Sequence, residues 1–272
     1  MPQSIARPVF QVSVAAIMLF QVAALFARSR LELSLIEDGM REAVAHDLSY
    51  LVVPLILGAL MFPYLNRYKA QVLDLLRPSA LTWRLVLLSL LLGLTLRIIR
   101  WGVLTLLIRT GALTNDDPTA IVGPIFGFDC PSPPVLLLSL GVTAFLIPII
   151  EEVISRGFIL HALLPRGLAI SIGISALLFA LVHPPGTYIS AFMVGGLLAI
   201  QTLNQGTLWA AVVAHATYNA AAVLDWKCFQ LVWNPPASDP QLATLSMIAA
   251  PVVIAGAWLA CFIVTRRPAG AG

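Results

Sequence analysis

The chain has 272 residues, of which 59% are hydrophobic and only 11% charged, with 16 Lys and Arg against 13 Asp and Glu. A water-soluble domain carries about 25% charged residues, so this composition excludes an ordinary soluble enzyme and a disordered protein, and the mean hydropathy of +0.92 points to lipid as the solvent. The net charge of +3 is spread over short segments, with no basic run or aromatic-interleaved patch, which excludes nucleic acid as a partner.

A spanning helix needs about 20 mostly apolar residues, or a few less where neighbours bury it, since lipid cannot satisfy an open backbone. Eight segments meet that test: Pro8 to Ala27, Leu48 to Tyr64, Leu85 to Ile108, Val135 to Leu163, Leu168 to His183, Tyr188 to Leu203, Leu208 to Leu224 and Leu245 to Val264. Arg7, Ala24 and Ala27 around the first would also suit a signal peptide, but the basic region before it is thin and a span is the better reading. Connections fall at Arg28 to Asp47, Asn66 to Arg84, a Pro- and Gly-rich stretch from Thr110 to Pro134, and tight turns at Pro165-Arg166-Gly167, Pro184-Pro185-Gly186 and Asn204-Gln205-Gly206. With no repeat and no soluble insertion, residues 1–272 read as a single integral membrane domain, an all-α polytopic helix bundle with about eight transmembrane helices.

Eight spans put both termini on one side. That side collects Arg7, Arg67, Lys69, Arg77, Arg84, Arg166, Arg266 and Arg267, against Arg28, Arg30, Arg41, Arg109 and Lys227 on the other, so cytoplasmic termini are favoured. Cys130 and Cys228 then share the outer face, where a disulfide and two free thiols are equally open readings. Cys261 lies in an apolar run and reads as a packing residue. Trp83, Trp101, Trp209, Trp226 and Trp233 fall near span ends, as an interfacial belt requires. Arg97 and Arg100 read as snorkelling to the interface, His161 as interfacial and His46 as solvated.

Ionisable groups inside a span are expensive, so each asks for a partner or a task. The fourth span carries Glu151 and Glu152 side by side, followed by Arg156. Glu152 and Arg156 are four apart and share a helix face, which suits an ion pair; Glu151 is turned about 100 degrees away and is left for chemistry. The fifth span ends Phe179-Ala-Leu-Val-His183, and the seventh holds His215-Ala-Thr-Tyr-Asn219, again polar groups four apart. If spans four and five turn at Gly167, Glu151 and His183 each lie 16 residues from the turn and reach equal height. His215 lies nine residues past Gly206 and falls seven residues short of that depth, roughly 10 Å at the helical rise.

Peptide hydrolysis needs a base for water and donors for the developing oxyanion. A glutamate in apolar surroundings suits the first task, and imidazole or amide N–H groups the second. One carboxylate with two imidazoles, Glu151, His183 and His215, would also suit zinc with an open position, although no HExxH is present.

The three motifs Glu151-Glu152-x-x-x-Arg156, Phe179-x-x-x-His183 and His215-x-x-x-Asn219, in that order on successive apolar helices, resemble the CAAX protease and bacteriocin-processing family of intramembrane endopeptidases. The resemblance covers a core of about residues 135–224. It implies that Glu151 and His183 activate water, that His215 and Asn219 form the oxyanion hole, that Glu152 and Arg156 support the site, and that no metal is used. It also implies a membrane-associated or lipid-modified protein or peptide substrate. Ser155 departs from the bulky aromatic that many members carry before the arginine, which bears on local packing. The absence of an endoplasmic-reticulum retention signal favours a prokaryotic plasma membrane. The competing readings are a non-catalytic immunity or scaffold membrane protein, and a polytopic transporter whose charges line a polar path.

Overall fold

The computed structural model describes residues 10–111, 130–184, 187–225, 228 and 240–266. Arg7, Lys227, Arg267, Trp226, Trp233 and most of the Pro- and Gly-rich stretch lie outside these residues. Among the described residues every regular element is helical. In chain order they are α1 (Val14–Glu37), α2 (Glu42–Ser49), α3 (Val52–Arg67), α4 (Lys69–Leu75) and α5 (Trp83–Arg109). A composite helix, Pro133–Arg166, follows, then α9 (Leu168–Leu181), α10 (Tyr188–Gln205), α11 (Leu208–Leu224) and α12 (Pro240–Thr265). The composite helix contains α6 (Pro133–Ser139), α7 (Ile147–Glu152) and α8 (His161–Leu163), joined by π-helical stretches at Leu140–Leu146 and Val153–Leu160.

Each of the eight expected segments carries a helix among the described residues, and these helices differ in length. Five helices are long and apolar enough to cross a membrane: Val14–Glu37, Val44–Arg67, Trp83–Leu107, Pro133–Arg166 and Thr244–Thr265. Leu168–Leu181 and Leu208–Leu224 are shorter, with 14 and 17 residues. At about 1.5 Å per residue they fall short of a hydrocarbon layer about 30 Å thick. Helix α10 has 18 residues and carries a buried Gln201, whose amide donates to Ser89 Oγ on α5 (3.0 Å). The first helix also runs past Ala27 to Glu37, through what reads as a charged connection. Arg28 and Glu32, one turn apart, pair at 2.7 Å and support that extension.

Among the described residues the core has two large apolar clusters, besides a small one of Phe179, Ala180 and Ala191. One joins α1, α3, α4 and the composite helix through residues such as Ile17, Leu57, Met61 and Phe158. The other joins α5, α10, α11 and α12 through Leu92, Leu198, Ala214 and Ile263. Helix α11 stands at the seam, and small residues bring it close to its neighbours. A Cβ on Gly93 of α5 would lie 2.3 Å from the Ala214 carbonyl oxygen and 2.7 Å from Thr217 Cβ, so only glycine lets α5 lie this near His215. Gly195 of α10 likewise meets the backbone of Ala176 and the ring of Phe179.

The turn before α11 is sunk into the bundle. Thr207 and Leu208 are buried, Thr207 Oγ1 donates to the Leu75 carbonyl (2.9 Å), and Leu208 reaches the level of Gly157 on the composite helix. Gly157 is ten residues before Gly167, so the two turns do not share a depth. That offset removes the mismatch expected for His215: counted from the Gly157 level, Leu208 is seven residues before His215 and Glu152 five residues before Gly157.

Cys130, just before α6, is disulfide-bonded to Cys228, just after α11, which settles the choice left open above. The bond closes a loop with a sequence separation of 98 that contains all three motifs.

Candidate active site

Glu151 and Glu152 stand near the middle of the 34-residue composite helix, and their neighbours treat them differently. Glu152 is fully buried. Its Oε1 accepts from His215 Nδ1 (2.8 Å), and its Oε2 lies 3.1 Å from Arg156 Nε. Arg156 is itself fully buried, donates from Nη2 to the Gly195 carbonyl (3.0 Å) and lays its guanidinium over the Phe179 ring at 4.3 Å. The expected Glu152 to Arg156 pair is present, and it also anchors His215. Burying these charges is tolerable because each has a partner of opposite sign or a carbonyl to bond.

Glu151 makes no hydrogen bond among the described residues. Its Oε2 lies 3.6 Å from His215 Nε2, and its side chain keeps 24% exposure. It opens on a cleft between α1, α3 and the composite helix whose lining also includes Gln21 and Val182. Val182 precedes His183, so the end of α9 reaches the same cleft. Glu151 and His215 approach directly; His183 joins them through Phe179.

His183 lies two residues beyond the last residue of α9. Its ring is 4.5 Å from that of Phe179, whose other edge meets His215 at 5.7 Å. His183 Nδ1 is 2.7 Å from the Phe179 carbonyl oxygen. A carbonyl only accepts, so Nδ1 carries the hydrogen and Nε2 is the ring nitrogen left for other work. The same logic makes His215 Nδ1 the donor to Glu152.

Asn219 follows His215 by one turn, and its Nδ2 donates to the Thr143 carbonyl (3.0 Å). The backbone explains why that carbonyl is available. In the first π-helical stretch the Ile147 amide bonds the Val142 carbonyl five residues back. The next residue in that register is Pro148, which has no N–H, so the Thr143 oxygen is left for a side chain. The second π-helical stretch does something similar: the Arg156 carbonyl accepts from His161 Nδ1 at 2.6 Å.

Several surroundings differ from expectation. His161 is 3% exposed and sits edge-on to Phe10, so it is a packed core residue and not interfacial. His46 is not simply solvated, because its Nδ1 is 2.8 Å from Glu32 and 2.9 Å from Arg28, whose guanidinium covers the Tyr50 ring. Arg97 is paired with Asp225 across α5 and α11 at 2.5 Å, a bond that replaces snorkelling. Trp209 donates from Nε1 to the Leu76 carbonyl. Ser155 is buried in the second π-helical stretch, and its carbonyl accepts from Ser175 Oγ on α9 (3.1 Å). The supporting roles of Asp47, Thr143 and Gly195 were not read from sequence. Asp47 is buried on α2 and accepts from Ser139 and Thr143 of the composite helix. Backbone carbonyls leave no mark in side-chain patterns, whereas Asp47 at the edge of an apolar run was a usable signal.

No group of three or more His, Cys, Asp and Glu among the described residues could hold a metal ion; Glu151, His183 and His215, the alternative zinc set, do not gather in that way. Among the described residues Glu151 alone of the sequence-read site residues lines the cleft, with His215 3.6 Å from it, His183 linked through Phe179 and Asn219 bonded to Thr143, inside a bundle of membrane-crossing helices. This is the architecture of an integral, multi-pass membrane protein with an internal polar centre. Residues 133–221, about a third of the chain and the stretch that carries all three motifs, match the family described as type II CAAX prenyl endopeptidase Rce1-like. The family assignment reached from the motifs is borne out for this segment, and the family is one of proteases. No curated protein and no solved structure matches the chain significantly.

Proposed function

We propose that this protein is a glutamate-dependent intramembrane endopeptidase that hydrolyses a peptide bond in a membrane-associated or lipid-modified protein or peptide. The observation that carries this reading is the contrast between adjacent glutamates: Glu152 is fully engaged by Arg156 and His215, while Glu151 keeps its carboxylate without a hydrogen bond at the cleft.

In this scheme Glu151 takes a proton from water as the oxygen attacks the scissile carbonyl. His183 Nε2, unencumbered because Nδ1 is held by the Phe179 carbonyl, accepts the water's other hydrogen and orients it. The carbonyl oxygen becomes an oxyanion. Asn219 has a second amide hydrogen beyond the one given to Thr143, and His215 donates from Nε2 when that nitrogen is protonated. Collapse of the tetrahedral species expels the amine, which takes the proton back from Glu151. Glu152 and Arg156 do not touch substrate here; they hold His215 and the Phe179 ring in place.

The bilayer is the second partner. Lys and Arg placement supports cytoplasmic termini in a prokaryotic plasma membrane, and the Cys130 to Cys228 bond fits an oxidising outer face. Activity is expected without a metal.

The test is cleavage of a quenched, S-farnesylated peptide with a tetrapeptide tail by purified protein in nanodiscs. Glu151→Gln is expected to lower the rate about 10³-fold while the melting temperature stays within a degree or two. Equal rates would defeat the assignment of Glu151, and a loss with chelator that zinc restores would overturn the metal-free scheme. A wild-type protein that binds but never cleaves would favour an immunity or scaffold role.

A further inference from the structure

Gln21 interrupts the apolar run of α1, and it is 6% exposed. It lines the same cleft as Glu151, one helical turn from Leu25, which lines it too. Among the described residues its carboxamide has no hydrogen-bond partner. An amide held in an apolar wall without a partner is unfavourable, and a leucine would fill the same space without that cost. Glu152, Arg156, His215 and Asn219 each make at least one hydrogen bond to another helix. Gln21 makes no such bond and lines the same cleft as the carboxylate assigned to the chemistry.

The lining decides what ligand it can serve. Leu25, Val53, Leu57 and Ile150 make the walls apolar, and the one ionisable group among the lining residues is Glu151. No cation lines the cleft to receive an anionic ligand. A hydrocarbon chain alone would not use an amide. A peptide segment would, because its backbone N–H and C=O lose water on entering apolar surroundings and need a donor and acceptor together. A carboxamide offers both.

We propose that Gln21 is a substrate-binding residue that hydrogen-bonds the backbone of an extended peptide beside Glu151, with an apolar side chain or lipid chain of the substrate against the α1 and α3 walls. This deepens the endopeptidase reading and rests on it for the location of the scissile bond. It assigns to α1, outside the family-matched segment, a part in the site.

The experiment measures binding, so that turnover is not needed. The probe is the S-farnesylated fluorescent peptide, with analogues N-methylated or ester-substituted one position at a time around the cleavage point, titrated onto Glu151→Gln protein and onto the Gln21→Leu, Glu151→Gln double variant. At one backbone position the Glu151→Gln protein should lose about tenfold in Kd, and the double variant should show no such penalty there, while its melting temperature is unchanged or higher. Equal penalties in both proteins, or a melting temperature several degrees lower in the double variant, would assign Gln21 a structural role and overturn the proposal. Absence of saturable peptide binding would sink this proposal and the endopeptidase reading together. Should Glu151→Gln still cleave, the same comparison read from KM would test Gln21 after the catalytic assignment had failed.

Discussion

The two walls of the Glu151 cleft handle buried polar groups in opposite ways. On the side of the composite helix, α9 and α11, Glu152, Arg156 and His215 are connected through ion pairs, a carbonyl bond and the Phe179 ring. At the level of the cleft, the α1 and α3 side contributes apolar side chains and one unpartnered amide, Gln21. Packing follows the same division: 17% of the apolar stretch of α1 and 22% of that of Val44–Arg67 are buried in the bundle, against 28% for the composite helix, so α1 is the less firmly held. The lesson is a separation of tasks, in which fixed charges on one wall define the geometry and a lipid-facing wall with few ties leaves room for a substrate.

The largest effect that would sharpen this contrast is on stability. Glu152→Ala leaves the Arg156 guanidinium and His215 Nδ1 without their carboxylate and should cost about 3–5 kcal/mol, with activity lost. Val53→Ala on the opposite wall should cost about 1 kcal/mol. Equal losses in SDS-titrated unfolding would erase the distinction between the walls. Next in size is Asn219→Ala, expected to lower kcat about 10²-fold with KM and melting temperature little changed, since in the proposed scheme the side chain acts on the developing charge. A matching rise in KM would instead make Asn219 a ground-state contact. The smallest effect concerns the closure around the charged wall. Paired Cys130→Ser and Cys228→Ser changes should lower unfolding stability by about 2 kcal/mol, the modest end for a long loop because a bilayer already confines the unfolded helices. Maleimide labelling before and after reduction checks that the bond exists in the isolated protein.

Much of the charged wall was legible in the sequence because charge inside an apolar helix has few explanations. Glu152 and Arg156 at four-residue spacing announced their pairing, and the helix class followed from hydropathy. Depth was harder to read. His215 appeared too shallow because turns were assumed to lie at the membrane surface, whereas Thr207 and Leu208, at the start of α11, are buried against Leu75 and Gly157. The π-helical stretches were invisible for a different reason: they arise from backbone register, and side-chain periodicity over seven or eight residues does not distinguish them from α-helix. The Cys130 to Cys228 bond needed the end of α11 brought beside the start of α6, and spacing alone could not decide it. Gln21 was passed over because a single amide in an otherwise apolar span does not disturb a hydropathy average.

Proline at 148 is an omission put to use. Because one hydrogen is missing from the backbone, a lone pair on Thr143 faces outward, and the carboxamide 76 positions later along the chain takes it as its bearing. Any other amino acid there would restore the hydrogen and let the helix reclaim its own oxygen, leaving Asn219 to rotate. The orientation of that amide is thus written in a residue on another helix.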